Sequence, residues 1–108
     1  MGVEDQLDIS IRREGDRVVV AMDGELDMAS APRLEEAVQS SELELDTTVV
    51  LDLQQLQFID STGLRAILSL RERCDERGQQ FAVTRGSPQV QRLLDITGVS
   101  EHLDTLTA

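Results

Sequence analysis

The chain has 108 residues, enough for one domain with its own core and too few for two. Its 21 acidic and 10 basic residues leave a net charge of −11, every base being arginine, and a field of that sign repels nucleic-acid backbones and anionic lipid. With two Phe, no Trp or Tyr, one Cys and one His, the chain lacks base-stacking platforms, an internal disulfide and a histidine metal cluster.

The acidic N-terminus has neither the basic start nor the apolar stretch of a signal peptide. No apolar run approaches the about 20 residues of a membrane span, and Gln6 stands where a myristoylation motif wants Ser or Thr. A cytoplasmic protein is the expectation. Leu7, Ile9 and Ile11 alternate with Asp8, Ser10 and Arg12, the period of a half-buried strand. Glu14-Gly15-Asp16 reads as a turn, and Arg17 to Met22, with Val18-Val19-Val20, as the more buried second strand of a hairpin. Asp23 to Asp27 reads as a carboxylate-rich loop. Ser30-Ala31-Pro32 then opens a helix, with Ser30 the candidate cap, Pro32 in the first turn, and Leu34, Ala37 and Val38 as the apolar stripe.

Thr47 to Leu53, apolar apart from Asp52 once past its two threonines, fits a central strand buried on both faces. A short connection through Phe58 and Ile59 leads to Asp60-Ser61-Thr62-Gly63-Leu64. The second helix carries Leu64, Ile67, Leu68 and Cys74 at helical spacing, Arg71, Arg73 and Arg77 toward its negative end, and Gly78 as its stop. Gln80 to Thr84 is a further strand, and Ser87-Pro88 starts a third helix with Val90, Leu93 and Leu94 inward and Gly98 ending it. Leu103 and Leu106 fit a last short edge strand. The order β-β-α-β-α-β-α-(β) predicts a single α/β domain over residues 1–108. Its mixed sheet has four to five strands, an N-terminal hairpin, parallel later strands and three or four packed helices.

Chemistry concentrates at Asp60 to Leu64, where a strand runs into a helix. One reading is a cap: Asp60, Ser61 or Thr62 accepts the orphan N–H groups of the helix. The other is a modification switch, because a phosphate on Ser61 would face free N–H groups at the positive end of the helix dipole. Gly63 leaves the backbone bare, open to close approach by a partner. A hydrolytic serine is disfavoured: Ile59 replaces the first glycine of a Gly-x-Ser-x-Gly elbow, and His102, near the C-terminus, is the one histidine. Asp23, Asp27 and Asp52 read as loop caps before they read as a Mg²⁺ or acid–base cluster. Gly78 and Gly86 are the nearest pair of glycines, so both Gly-rich phosphate loops are absent. Cys74, on the apolar stripe with Ile67, reads as a small core residue.

Three blocks resemble the STAS domains of bacterial anti-sigma factor antagonists. They are Gly24-Glu25-Leu26-Asp27 with Ala31-Pro32-x-Leu34; Val49 to Leu53 with Phe58-Ile59-Asp60-Ser61-Thr62-Gly63-Leu64; and Ser87-Pro88-x-Val90-x-x-Leu93-Leu94-x-x-x-Gly98. The resemblance runs from about Leu7 to Leu106, in the family's order and spacing. It implies a STAS fold and a partner-switching regulator with no catalysis and no cofactor of its own. The unmodified form would bind an anti-sigma factor that is also an ATP-dependent serine kinase, freeing the sigma factor. Phosphorylation of Ser61 would end binding, and a PP2C-type phosphatase would restore it. Thr62 is a second acceptor by chemistry. The partner surface implied by the resemblance comprises Asp23, Gly24, Glu25, Asp27, Asp60, Ser61, Thr62, Gly63 and Leu64, with no direct contact to DNA or RNA and no membrane insertion. The C-terminal helix usual in the family is expected to be short or missing after Leu106. An alternative within the same fold is a STAS subunit of a stressosome or of a lipid or anion transporter complex.

Overall fold

A computed structural model describes residues 6–40 and 47–106. Strand β1 (Leu7–Glu14) turns at Gly15 into β2 (Arg17–Leu26), and the two pair antiparallel from Glu14↔Arg17 to Leu7↔Gly24. Gly15 has a φ of 62°, the left-handed region that a tight reversal demands and that glycine enters without steric cost. Helix α1 (Ala31–Ser40), strand β3 (Thr48–Ile59), helix α2 (Ser61–Glu76), strand β4 (Phe81–Thr84), helix α3 (Pro88–Ile96), a 3-10 turn (Val99–His102) and strand β5 (Thr105–Leu106) follow. The five strands lie in chain order, and every pair after the hairpin is parallel. The mixed sheet, the element order and the short last strand are those expected from the sequence. What would follow Leu106, including the short or missing terminal helix, lies outside the described residues.

Leu103 precedes β5 rather than belonging to it, and two boundaries beside the α2 start differ from the sequence reading. Asp23 to Leu26 is strand rather than loop, and Phe58 and Ile59 close β3 rather than forming a connection. Each extension supports the other, since Gly24, Glu25 and Leu26 pair with Leu56, Phe58 and Ile59. The ladder is irregular between Ala21 and Asp23 and again between Gly24 and Glu25, so the alternating pattern by which a strand is read from sequence breaks there. Gly24, at a φ of 117°, absorbs the distortion; a side chain there would run into the Gln6 carbonyl, which accepts the Glu25 N–H at 3.0 Å.

One apolar cluster joins the sheet to all three helices. Val20 and Met22 of β2, Val49, Leu51 and Leu53 of β3, and Val83 of β4 meet Leu34 of α1, Ile67 and Leu70 of α2, and Val90 and Leu94 of α3. Val50, between Val49 and Leu51, is also buried, and so are its cross-strand neighbours Val19 and Ala82, so β3 is covered on both faces as its unbroken run of aliphatics requires. Helix α2 ends at Gly78, φ 70°, with Gln79 N–H bonded to the Cys74 carbonyl and Gly78 N–H to that of Asp75. That pair of bonds is a Schellman closure, and it satisfies two carbonyls the helix would otherwise leave open. Helix α3 starts as its sequence signals, with Ser87 accepting from Val90 N–H and Pro88 at the first helical position.

Candidate functional site

The end of β3 delivers Asp60 to the start of α2, and the end of β2 delivers Asp27 beside it. Asp60 N–H donates to the Leu26 carbonyl at 3.2 Å, a bond that locks the two strand ends together. The Asp60 carboxylate then splits its work. Oδ1 accepts from Gly63 N–H at 2.9 Å, capping α2, and Oδ2 accepts from Met28 N–H at 3.2 Å, holding the β2–α1 loop against the helix start. Of the three candidate caps, Asp60 is the one used.

Ser61 is left with nothing to do inside the fold. It is the first residue of α2, it is exposed, and its hydroxyl makes no hydrogen bond among the described residues. Ser30 and Ser87, the serines of the neighbouring helix starts, contrast with it. Ser30 is fully buried; its hydroxyl donates to the Glu25 carbonyl at 2.8 Å and accepts from Asp27 N–H at 2.9 Å. Ser87 donates to the Leu56 carbonyl at 3.0 Å as well as capping α3. Thr62, next to Ser61, is half-buried, so the better-presented hydroxyl is that of Ser61.

Gly63 corrects an expectation. It is buried, and its bare backbone admits the protein itself rather than a partner: a Cβ there would lie 2.5 Å from the Leu26 carbonyl oxygen and 2.8 Å from Ile59 Cγ1. The close approach seats α2 on the ends of β2 and β3, which fixes where Ser61 emerges. Leu64 is half-buried against the core, its N–H bonded to the Asp60 carbonyl at 2.9 Å.

The second block splits between structural and surface roles. Asp27 Oδ1 accepts from Ala29 N–H at 3.0 Å and from Ser30 N–H at 3.1 Å, turning the chain into α1. Glu25 is half-buried with its backbone bonded on both sides. Asp23 is exposed but sits three residues back from Leu26, opposite Asp8 and Gln55, about 10 Å along the strand from the loop. Asp52 is elsewhere again: its Oδ1 takes the Thr84 hydroxyl at 3.1 Å and Gln54 N–H at 3.0 Å, tying β3 to β4. Among the described residues no three His, Cys, Asp or Glu gather as a metal site would require.

Met28 is the residue that sequence reasoning missed. It is 74% exposed on the loop whose backbone is bonded to Asp60, so a large apolar side chain stands in water on the segment tied to the start of α2. A methionine in a loop carries no periodic signal. Its meaning comes only from the contact between two segments 32 residues apart. Cys74 is buried, and burial pushes its thiol up from the usual range, against a smaller opposing effect of Arg77. No described helix is long and apolar enough to cross a membrane.

The model of the STAS domain matches residues 8–107. The chain belongs to the STAS domain family. An anti-sigma F factor antagonist of Paenibacillus polymyxa is 34% identical over 97 residues, covering 86% of this chain and 80% of that protein. Among solved structures, an anti-sigma factor antagonist from Mycobacterium paratuberculosis superposes with a TM-score of 0.85 at 24% identity, covering 100% of this chain and 92% of that one. The Bacillus cell fate determinant SpoIIAA in its phosphorylated form gives a TM-score of 0.68 at 17% identity, over 93% of this STAS domain and 92% of that chain.

Proposed function

We propose that this STAS domain is an anti-sigma factor antagonist whose binding is switched off by phosphorylation of Ser61. The observation that carries the reading is the division of labour at the start of α2: Asp60 does the capping, and Ser61 presents an exposed hydroxyl with no hydrogen bond among the described residues. The relationship to the Paenibacillus antagonist supports the partner class, an anti-sigma factor, and the phosphorylated form of SpoIIAA supports the chemistry. The domain acts as substrate and ligand, and catalysis belongs to its partners. The partner kinase transfers the γ-phosphoryl group of ATP: the Ser61 Oγ–P bond forms, the bond to the bridging oxygen of ADP breaks, and the hydroxyl proton leaves to a base on the kinase. A PP2C-type phosphatase returns the serine.

The docking surface consists of Ser61, Thr62 and Leu64 on α2, Glu25 at the end of β2, Asp27 just beyond it, and Met28 as its apolar projection. Asp60, Gly63 and Gly24 hold that surface in shape from beneath. A partner suited to it offers arginine or lysine to the acidic rim and a hollow for Met28. Phosphate at Ser61 adds about −1.5 to −2 charge next to Asp60, and like-charge placement at an interface costs several kcal/mol, on the order of a hundredfold or more in affinity. The test is incubation with anti-sigma factor kinases and ATP followed by intact mass. One added phosphate, lost in Ser61→Ala and kept in Thr62→Ala, supports the reading. Modification that persists in Ser61→Ala overturns it.

A further inference from the structure

Arg65 lies four residues after Ser61 on α2, so the two share a helix face. Their Cβ atoms are about 5–6 Å apart by helix geometry. Side chains on a helix tilt toward its N-terminus, which carries an arginine at this position back over the turn that holds Ser61. Arg65 is exposed and makes no hydrogen bond or ion pair among the described residues. Arg12, by contrast, pairs with Glu14 at 2.7 Å, and Arg33 reaches the Leu7 carbonyl at 2.6 Å. The next arginine along α2, Arg71, is ten residues from Ser61, about 15 Å further along the axis and out of reach.

We propose that Arg65 is the internal counter-ion of a phosphate on Ser61. The proposal rests on the reading of Ser61 as the phosphoacceptor. It adds a mechanism to the switch. Without phosphate, Arg65 is a free cation on an otherwise acidic surface, available to a carboxylate of the partner. With phosphate, the guanidinium folds back onto Ser61, so modification both introduces a dianion and withdraws the cation. An acid placed four residues before a base is the favourable order on a helix. The carboxylates near the phosphate are Asp60 at the cap, Asp27 in the adjoining turn and Glu25 at the end of β2; all raise the phosphate's second pKa, and all are unchanged when Arg65 alone is replaced.

The experiment installs phosphoserine at position 61 during translation, so no kinase is needed, and follows the phosphorus resonance of the whole chain against pH. In the wild-type sequence the second ionisation, ordinarily near about 6, falls below that of Arg65→Gln by about 0.3 unit, the size of an exposed i,i+4 ion pair. Arg65→Lys keeps part of the difference. Arg65→Gln carrying plain serine melts with the wild type, because Arg65 bonds to nothing in that state. Identical titrations in wild type and Arg65→Gln overturn the proposal while leaving Ser61 phosphorylation standing. Failure of every kinase to modify Ser61 overturns the reading beneath it, and the titration with installed phosphoserine still reports on Arg65.

Discussion

Replacing Asp60 tests the architecture of the loop that presents Ser61. Its carboxylate makes two bonds: to Gly63 N–H at 2.9 Å as a helix cap, and to Met28 N–H at 3.2 Å across the two loops. In Asp60→Ala both are lost. The cap is worth about 1 kcal/mol. The second bond is worth about 0.5 kcal/mol, because Met28 is exposed and water replaces the lost acceptor. The sum, about 1.5 kcal/mol, lowers the melting temperature by about 6 °C for a domain of this size. Asp60→Asn separates the two: Asn caps as well as Asp, but its amide nitrogen faces the Met28 N–H and cannot accept. The fall is then about 2–3 °C, and amide hydrogen exchange quickens at Met28 and not at Gly63. Thermal denaturation of the two variants, with residue-resolved exchange, measures both effects. An Asp60→Ala protein that melts with the wild type, or exchange unchanged at both amides, refutes the bridging role.

Gly63→Ala forces a methyl to within 2.5 Å of the Leu26 carbonyl oxygen. The helix gain of about 1 kcal/mol is outweighed by an overpacking cost of about 1–3 kcal/mol, and the denaturant midpoint falls; an unchanged or raised midpoint contradicts the packing. Met28→Ala leaves the melting temperature alone, since the side chain is 74% exposed, and weakens binding of the anti-sigma partner about tenfold by titration calorimetry. The native Cys74 thiol resists iodoacetamide at pH 8 and reacts once the chain is unfolded, because burial holds its pKa above the usual value. Since the folded state keeps that proton longer, the thiol's contribution to stability is complete below the unfolded pKa of about 8.5 and is lost as pH rises through the folded value.

Much of this fold was legible because its strands and helices keep their periods. Val18 to Val20, Val49 to Leu53, and the Ser87-Pro88 and Gly98 ends of α3 name their elements without help. The sequence misled where the ladder between β2 and β3 is irregular: around Asp23 to Leu26, glycine and carboxylates look like a loop while the backbone stays paired. The Asp60–Leu64 segment could be found as a strand-to-helix junction, but local propensity could not assign the cap among Asp, Ser and Thr. That assignment depends on Met28 and Leu26, which reach Asp60 only through the fold. Gly63 carried a signal of close approach, and the structure supplies what approaches. Met28 and Arg65 left no trace in the periodic pattern, because their significance lies in position relative to Ser61.

In the proposed switch, one phosphate on Ser61 decides whether the docking surface is usable. The most direct measurement is the dissociation constant of an anti-sigma factor kinase that modifies this chain, determined for the chain with serine and with phosphoserine at position 61. The serine form is expected to bind tightly, and phosphorylation to weaken binding by about a hundredfold or more. Equal affinity for the two forms would contradict the proposed switch.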